Sequence, residues 1–239
     1  MRPRPAARRL RSGAVRTVLI VLVIIVAVPG GLWFAHTQNE KRRAHARAVA
    51  AAAGLNIDLD TKDPPPTPFD LTNKGRARRV TYHMWATGSG DSVFQYRYTT
   101  GSGKNSRTWR YTCALVALPF NAPHLTIGPE GFWSNLGQMI GGIRDVEIES
   151  PEFNERYRVS CDDERFAVTL LDHQMIGWML SDASGGGTVR FELLGNSLLC
   201  INEPLAVEHM PGMLVWASAI REHFPVILSE LYPSRSVGG

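Results

Sequence analysis

The sequence contains little cysteine, and its cysteines do not form close pairs. Cys113, Cys161 and Cys200 lie tens of residues apart, whereas a structural zinc site draws its ligands from closely spaced pairs. Because each cysteine falls in an apolar or strand-like run, we predict three buried thiols. The alternative is one disulfide with one thiol left over, which would require an oxidising compartment.

The sequence also lacks the common motifs of catalysis. It has no His-Glu-x-x-His and no Gly-x-Ser-x-Gly, which excludes the usual metallopeptidase and serine-hydrolase signatures. The triplet Gly90-Asp91-Ser92 resembles the serine motif of one esterase group, but no Asp-x-x-His follows that could activate the serine. The segment Gly101–Ser106 lacks the spacing of a phosphate loop and is typical of a hairpin loop. We therefore predict no catalytic residue, no cofactor and no metal site, and we expect a non-enzymatic protein.

Excess positive charge is missing from most of the chain. Residues 1–47 contain ten lysines and arginines against one acidic residue, whereas residues 48–239 contain sixteen against twenty-one. The formal net charge of +4 thus combines a strongly basic start with a folded part of charge −5. Domains that bind nucleic acid carry their positive charge on the folded surface, so no nucleic-acid partner is predicted.

One long apolar run stands near the start of the chain. Thr17–Ala35 has nineteen residues without a charge, and at about 1.5 Å per helical residue it matches the thickness of a bilayer core. We predict a single transmembrane helix there, with the lipid bilayer of the cell membrane as its partner. A cleaved signal peptide and a buried soluble helix are the alternatives. Six arginines directly precede the run, whereas the first basic residue after it is Lys41, so the N-terminus is expected inside and the domain outside.

The composition divides the rest of the chain into a tether and one domain. Glu40–Ala53 is rich in strong helix formers and ends at Gly54. The prolines of the following stretch favour an extended spacer. The predicted order is a basic cytoplasmic tail (1–16), a transmembrane helix (17–35), a juxtamembrane helix (36–54), a Pro-rich linker (55–79), a soluble α+β domain (80–232) and a disordered tail (233–239).

Within the domain, strands precede and surround short helices. The period-two pattern is clearest in Ser92–Thr99, where Phe94, Tyr96 and Tyr98 alternate with polar residues. The predicted elements are strands Val80–Ala86, Ser92–Thr99, Trp109–Leu118, His124–Ile127, Asp145–Glu149 and Tyr157–Ser160, helices Gly131–Gly142, about 162–171, His173–Leu180 and Pro211–Tyr232 (kinked at Pro225), and a hairpin of Val189–Leu194 with Leu198–Ile201. This order predicts an α+β fold, a mostly antiparallel sheet with helices packed on one side.

Aromatic residues are concentrated on two neighbouring strands. Phe94, Tyr96, Tyr98, Trp109 and Tyr111 could line a groove for an apolar ligand or form cross-strand pairs in the core. We expect a domain that binds an unknown protein partner near the membrane. A lipid or small apolar ligand is the alternative, and an enzyme of unknown class is a further one.

Two segments of the domain resemble an uncharacterised family of bacterial membrane-anchored proteins. The first is Phe94–Gly131, with its aromatic strand, Gly-rich hairpin and Pro-Glu-Gly turn. The second is Val146–Leu180, with its Glu-Phe-Asn, Tyr-Arg-Val and Arg-Phe-Ala runs. The resemblance covers about residues 80–232. It implies a membrane-anchored protein and no particular activity.

Overall fold

A computed structural model describes residues 33, 35–61, 65, 67–129, 132, 144–181 and 190–234. Its contacts divide the chain into two units, residues 1–45 and residues 46–239. Apart from Trp33 and Ala35, the predicted transmembrane helix lies outside the described residues, and so does the predicted helix Gly131–Gly142 apart from Phe132. A search of the described helices found none that is both long enough and apolar enough to span a bilayer.

The described elements alternate between long strands and short helices. Residues 35–52 are helical and form α1. The strands are β1 (Asn56–Thr61), β2 (Arg76–Trp85), β3 (Ser92–Thr100), β4 (Arg107–Gly128), β5 (Arg144–Val146), β6 (Arg158–Cys161) and β7 (Phe191–Asn202). The further helices are α2 (Asp70–Asn73), α3 (Pro151–Arg156), α4 (Glu164–Leu170), α5 (His173–Leu180), α6 (Met210–Glu222) and α7 (Ile227–Leu231).

The strands form one seven-stranded sheet around β4. The order is β1-β2-β3-β4-β6-β5, and β7 also pairs with β4. One edge of β4 pairs with β3 near its start and with β6 near its end, while β7 follows the other edge. Each pairing between the described strands is antiparallel. The prediction of an α+β fold with a mostly antiparallel sheet is confirmed.

Strand β4 is longer than predicted. The sequence predicts a strand ending near Leu118, a break at Pro119–Pro123 and a new strand at His124. Strand conformation continues through all 22 residues from Arg107 to Gly128. The chain nevertheless turns within the predicted break, because β4 pairs with both halves of β7 and these halves lie side by side. Proline interrupts a sheet by removing a ladder N–H. Here both prolines fall where the pairing with β7 is irregular, between Ala117 and Leu125, so they occupy bulges and cost little pairing.

The predicted hairpin at Gly195-Asn196 is confirmed, although strand conformation is continuous over β7. The Ile201 N–H donates to the carbonyl of Arg190 at 3.0 Å, so the two halves of β7 lie side by side. Gly195 has φ +61°, a left-handed conformation that glycine adopts without strain. The glycine therefore makes the turn at which β7 folds back, and both halves of β7 also pair with β4.

The closing helix is broken where the sequence predicts only a kink. Helix α6 ends at Glu222 and α7 begins at Ile227, with Pro225 between them. A proline lacks the N–H that would continue the helical ladder. The His223 N–H still bonds to the carbonyl of Ala219, so the helix ends there.

Two cores lie on opposite faces of the sheet. The main core contains side chains of α3 to α7 together with Ala50 of α1. The second core contains Phe69 and Leu71, from the α2 segment, packed on residues of β2, β3, β4 and β7. The prediction that the helices pack on one side is therefore wrong for α2. Strand β1 lies within the range predicted as a linker and pairs with β2.

The three cysteines are buried free thiols, which confirms the interpretation as small apolar side chains. Cys113 belongs to the second core, whereas Cys161 and Cys200 belong to the main core. Cys113 and Cys200 sit on neighbouring strands but point to opposite faces of the sheet, so their geometry does not suit a disulfide.

Candidate ligand-binding site

The five predicted aromatic residues lie together on one face of the sheet, and we call them the aromatic cluster. Alternation along β3 points Phe94, Tyr96 and Tyr98 to this face. The register places Tyr111 opposite Tyr96 and Trp109 opposite Tyr98. The ring centroids of Tyr96 and Tyr98 are 5.6 Å apart, and those of Tyr98 and Tyr111 are 6.3 Å apart. The cluster thus forms a continuous aromatic floor.

A short segment covers this floor. Phe69 and Leu71 are fully buried against it, and α2, which spans only four residues, connects them to β2. The Tyr96 hydroxyl donates to the carbonyl of Thr72 at 3.0 Å, and the Thr72 hydroxyl donates to the carbonyl of Phe69 at 2.8 Å. We call residues 67–74 the cover.

The cover leaves little of the aromatic cluster exposed. Phe94, Tyr96, Tyr98 and Tyr111 are buried, and Trp109 is half-buried beneath the guanidinium of Arg107. The structure therefore brings the predicted residues together as a closed surface. Occupation by a ligand remains a prediction, and it requires the cover to move.

The tyrosine hydroxyls of this site remain uncharged. Burial raises the pKa of Tyr96 to about 12. Burial, followed by the neighbouring Tyr111, also raises the pKa of Tyr98. At neutral pH the floor thus offers apolar rings with neutral donors and acceptors, a combination suited to a molecule without charge at that point.

A row of polar residues occupies the same face further along the sheet. Glu192, Thr126, Ser160 and Asp145 lie in register across β7, β4, β6 and β5. Glu192 and Thr126 are buried, and the Thr126 Oγ1 and Glu192 Oε2 atoms have no hydrogen-bond partner among the described residues. Buried polar atoms without partners are rare because each costs about 1–3 kcal/mol.

His124 connects this polar row with the cover. Its Nε2 lies 2.6 Å from Oε1 of Glu192. Burial by itself lowers the pKa of His124, but the hydrogen bond and charge of Glu192, together with Asp162 and Asp70, outweigh burial and raise it. Asp70 belongs to α2, so the cover lies close enough to His124 to influence its charge. Single histidines give no signal in a sequence, and 68 residues separate His124 from Glu192.

A groove of about 420 Å³ lies at the β5 edge of the sheet, beside α3. Its lining includes Asp145 and Arg158. The Arg158 Nη2 atom lies 2.6 Å from Oδ2 of Asp145, and the Ser160 hydroxyl donates to Oδ1 of the same carboxylate. Both oxygens of Asp145 therefore have partners within the fold.

The motif Gly90-Asp91-Ser92 has a structural role. Asp91 is buried and binds Arg221, while Ser92 is a buried residue at the start of β3. Across the described ranges, no group of three His, Cys, Asp or Glu side chains is arranged to hold a metal ion.

Comparison with known proteins yields a likeness of fold. No family model matches the chain, and no curated protein matches it either. The crystal structure of the mycobacterial trehalose monomycolate transport factor A, TtfA, is similar with a TM-score of 0.51 at 11% sequence identity. The alignment covers 80% of this chain and 96% of TtfA. At this identity the likeness shows a shared fold.

Proposed function

We propose that this chain is a membrane-associated, non-enzymatic protein whose domain binds a lipid or another small apolar molecule on the aromatic cluster. One observation carries the proposal: the five aromatic side chains form a floor, and within the described part of the chain the short segment 67–74 covers it. The fold likeness favours a lipid over other apolar molecules, because TtfA is named as a transport factor for trehalose monomycolate. The apolar run Thr17–Ala35 supports a position at the membrane.

An acyl chain can compete with the cover energetically. Burial of Phe69 and Leu71 stabilises the closed state by about 1.5–3 kcal/mol for each side chain. Each methylene that leaves water contributes about 0.8 kcal/mol. An acyl chain that buries about four to eight methylenes therefore offsets the free energy lost when Phe69 and Leu71 leave the cluster. The α2 turn itself adds little to the stability of the closed state. An isolated helix needs about 12–15 residues to be stable, and α2 has no side-chain cap at its N-terminus.

Photocrosslinking in native membranes tests this proposal. Cells expressing the full chain are fed a diazirine-bearing fatty acid and irradiated, and the adducts are mapped by peptide mass spectrometry. We expect adducts within β3 and the first half of β4. Phe69→Ala weakens the cover, so these adducts should increase by about tenfold relative to the wild type. Phe153→Ala is the matched control, because Phe153 is an equally buried phenylalanine of the main core.

Two results would reject lipid binding at this site. One is the absence of adducts on β3 and β4 in every variant. The other is an equal increase in the Phe69→Ala and Phe153→Ala proteins, because that would reflect general loosening of the fold. Co-purifying lipid found in the wild type and missing after Tyr98→Ala would support the site independently.

A protein partner is the second candidate, and exposed apolar side chains on α7 favour it. Val226 is 83% exposed, Ile227 43% and Leu231 42%, whereas soluble surfaces rarely group such side chains. A photoreactive amino acid at position 226 should then form a specific adduct in native membranes, and one at the exposed position 164 should not. Equal labelling at both positions would count against a partner at α7.

The orientation proposed for the chain places the N-terminus in the cytoplasm and the domain outside the cell membrane. It rests on the arginines of residues 1–16 and the positive-inside rule. Alkaline phosphatase fused after Tyr232 should be active, since that enzyme needs an oxidising compartment for its disulfides. An inactive phosphatase together with a fluorescent cytoplasmic reporter at the same site would reverse the orientation.

A further inference from the structure

Four arginines lie on one face of the sheet, beyond the end of the main core. Arg79 is in register with Arg97, and Arg97 with Arg110. Arg76 lies in the next cross-strand row, opposite Thr99. Residues in register share a face, and so do residues two apart in a strand. The four side chains therefore point to the same side, and we call them the arginine patch.

The arginine patch lies in solvent because it is beyond the end of the main core. In the row next to the patch, the Gln95 side chain donates to the carbonyl of Leu205 at 2.7 Å, and the Leu205 N–H donates to the hydroxyl of Thr112 at 2.8 Å. The segment around Leu205 thus closes the core. Past it, Arg76, Arg79 and Arg110 are exposed and Arg97 is half-buried.

The positive charge of the patch is only partly neutralised within the fold. The Arg79 Nε atom bonds to Asp60 at 2.6 Å. No acidic side chain of the described residues forms an ion pair with Arg97 or Arg110. Like charges opposite each other destabilise a sheet. The arrangement therefore favours binding to an external anion.

Acidic residues gather near β5 and β6, on another part of the same sheet. They are Asp145, Glu147, Glu149, Glu152, Glu155 and the run Asp162–Glu164. The two arms of β7 and the last residues of β4 lie between β6 and the start of β4, where Arg110 is located. The arginine patch is therefore a separate positive region on a domain whose net charge is negative.

We propose that the arginine patch docks on the surface of an anionic phospholipid bilayer. Guanidinium groups bind phosphate oxygens in paired hydrogen bonds. A negatively charged domain held near anionic lipid would be repelled from it, and the patch is the part of its surface that reverses this effect. An apolar run and basic flanks at residues 1–47 favour a bilayer over an acidic protein as the occupant. This inference does not depend on a ligand in the aromatic cluster.

Energy transfer in nanodiscs tests the docking with the full chain. The native thiols are buried, so a donor dye attaches selectively to Thr108→Cys, an exposed position beside the patch. The acceptor is a headgroup-labelled lipid. We expect higher transfer in discs that contain phosphatidylglycerol than in discs of phosphatidylcholine alone. High salt should reduce the difference, because it screens exposed charges.

Variants that remove positive charge test whether the arginine patch causes the docking. Each arginine lost from the patch should reduce the ratio of docked to undocked domain by about fivefold in anionic discs, so R97Q/R110Q should approach the transfer seen in neutral discs. R144Q/R165Q removes two exposed arginines of β5 and α4, outside the patch, and should leave the transfer unchanged. Equal transfer in neutral and anionic discs would overturn the proposal, as would equal effects of the two double variants. An acidic protein as the true partner would give the first of these results.

Discussion

Arg221 of α6 binds Asp91 in the turn that leads into β3. Its Nη1 atom lies 3.1 Å from Oδ2 of Asp91 and 3.1 Å from the carbonyl oxygen of Ala117. Asp91 Oδ1 also accepts the N–H of Ala117 at 2.9 Å. Three segments distant in sequence therefore meet at one buried carboxylate, which joins the helical layer to the sheet.

Removing Arg221 should destabilise the domain. R221Q leaves Asp91 buried without its charged partner, and the pair is 28% and 8% exposed at its two side chains. Breaking a fully buried pair costs about 3–5 kcal/mol, and partial exposure of the arginine lowers our expectation to about 2 kcal/mol. Urea denaturation measures the free energy of unfolding. R156Q removes an exposed helical pair with Glu152 and should cost about 0.5 kcal/mol or less; equal losses would contradict the prediction.

Gly75 holds the end of the cover against the aromatic cluster. Its φ is +72°, and a Cβ there would lie 2.6 Å from Cδ2 of Tyr98 and 2.8 Å from the Thr99 carbonyl oxygen. Gly54 has nearly the same φ, +69°, with open space around it. G54A should therefore cost about 1–2 kcal/mol for backbone strain alone.

G75A should cost about 1–3 kcal/mol more than G54A, because Tyr98 and the backbone of β3 must also shift. Thermal and urea denaturation of the two variants give the comparison. If G75A were as stable as G54A, the close contact between the cover and Tyr98 would be refuted.

The pair of His124 and Glu192 should make stability depend on pH. The pKa of His124 is raised in the folded state, so the pair stabilises the fold fully below the unfolded-state pKa of about 6.5. This contribution is lost as the pH rises through the higher folded pKa. We expect the free energy of unfolding to fall by on the order of 1 kcal/mol across that window.

H124Q should remove this fall, and H209Q, at an exposed position, should retain it. Burial lowers the pKa of His83, so its own pH dependence lies below this window. Wild-type stability that increases with pH above about 6.5 would contradict the assigned ion pair.

The thiols should be unreactive in the native protein. Burial raises the pKa of Cys161 to about 11, and burial also raises the pKa of Cys113 and of Cys200. A thiol reagent at pH 8 should label none of them in the folded chain, because the thiolate is the reacting form. In denaturant without reductant, three thiols should react. A single reactive thiol in denaturant would instead show that a disulfide had formed.

Local patterns in the sequence were sufficient to predict the strands that carry the candidate site. The alternation of Phe94, Tyr96 and Tyr98 predicts β3 and a shared face, and the structure has both. Helix α5 begins at His173, as predicted, and the side chain of Asp172 caps it. These features depend on neighbours within a few residues, and periodicity and capping report such neighbours directly.

Other elements could not be predicted from local patterns, because they form by pairing with strands that are distant in the sequence. Pro119 and Gly195 predict interruptions, and the chain does turn there. Strand conformation nevertheless continues through both turns, because β4 and β7 remain paired with each other on either side. Strand β1 was missed because the acidic residues Asp58 and Asp60 and the prolines that follow hide its short alternation of Ile57 and Leu59. The partners of a strand are not encoded in its own few residues.

The amino-acid sequence by itself determined the distribution of charge, the apolar run at Thr17–Ala35 and the aromatic alternation, because composition and period are properties of neighbouring residues. The tertiary structure alone decided that Phe69 and Leu71 close the aromatic cluster and that His124 meets Glu192. It also decided that four arginines share one face. Each of these contacts joins segments far apart in the chain, and only the folded sheet brings them within reach of one another.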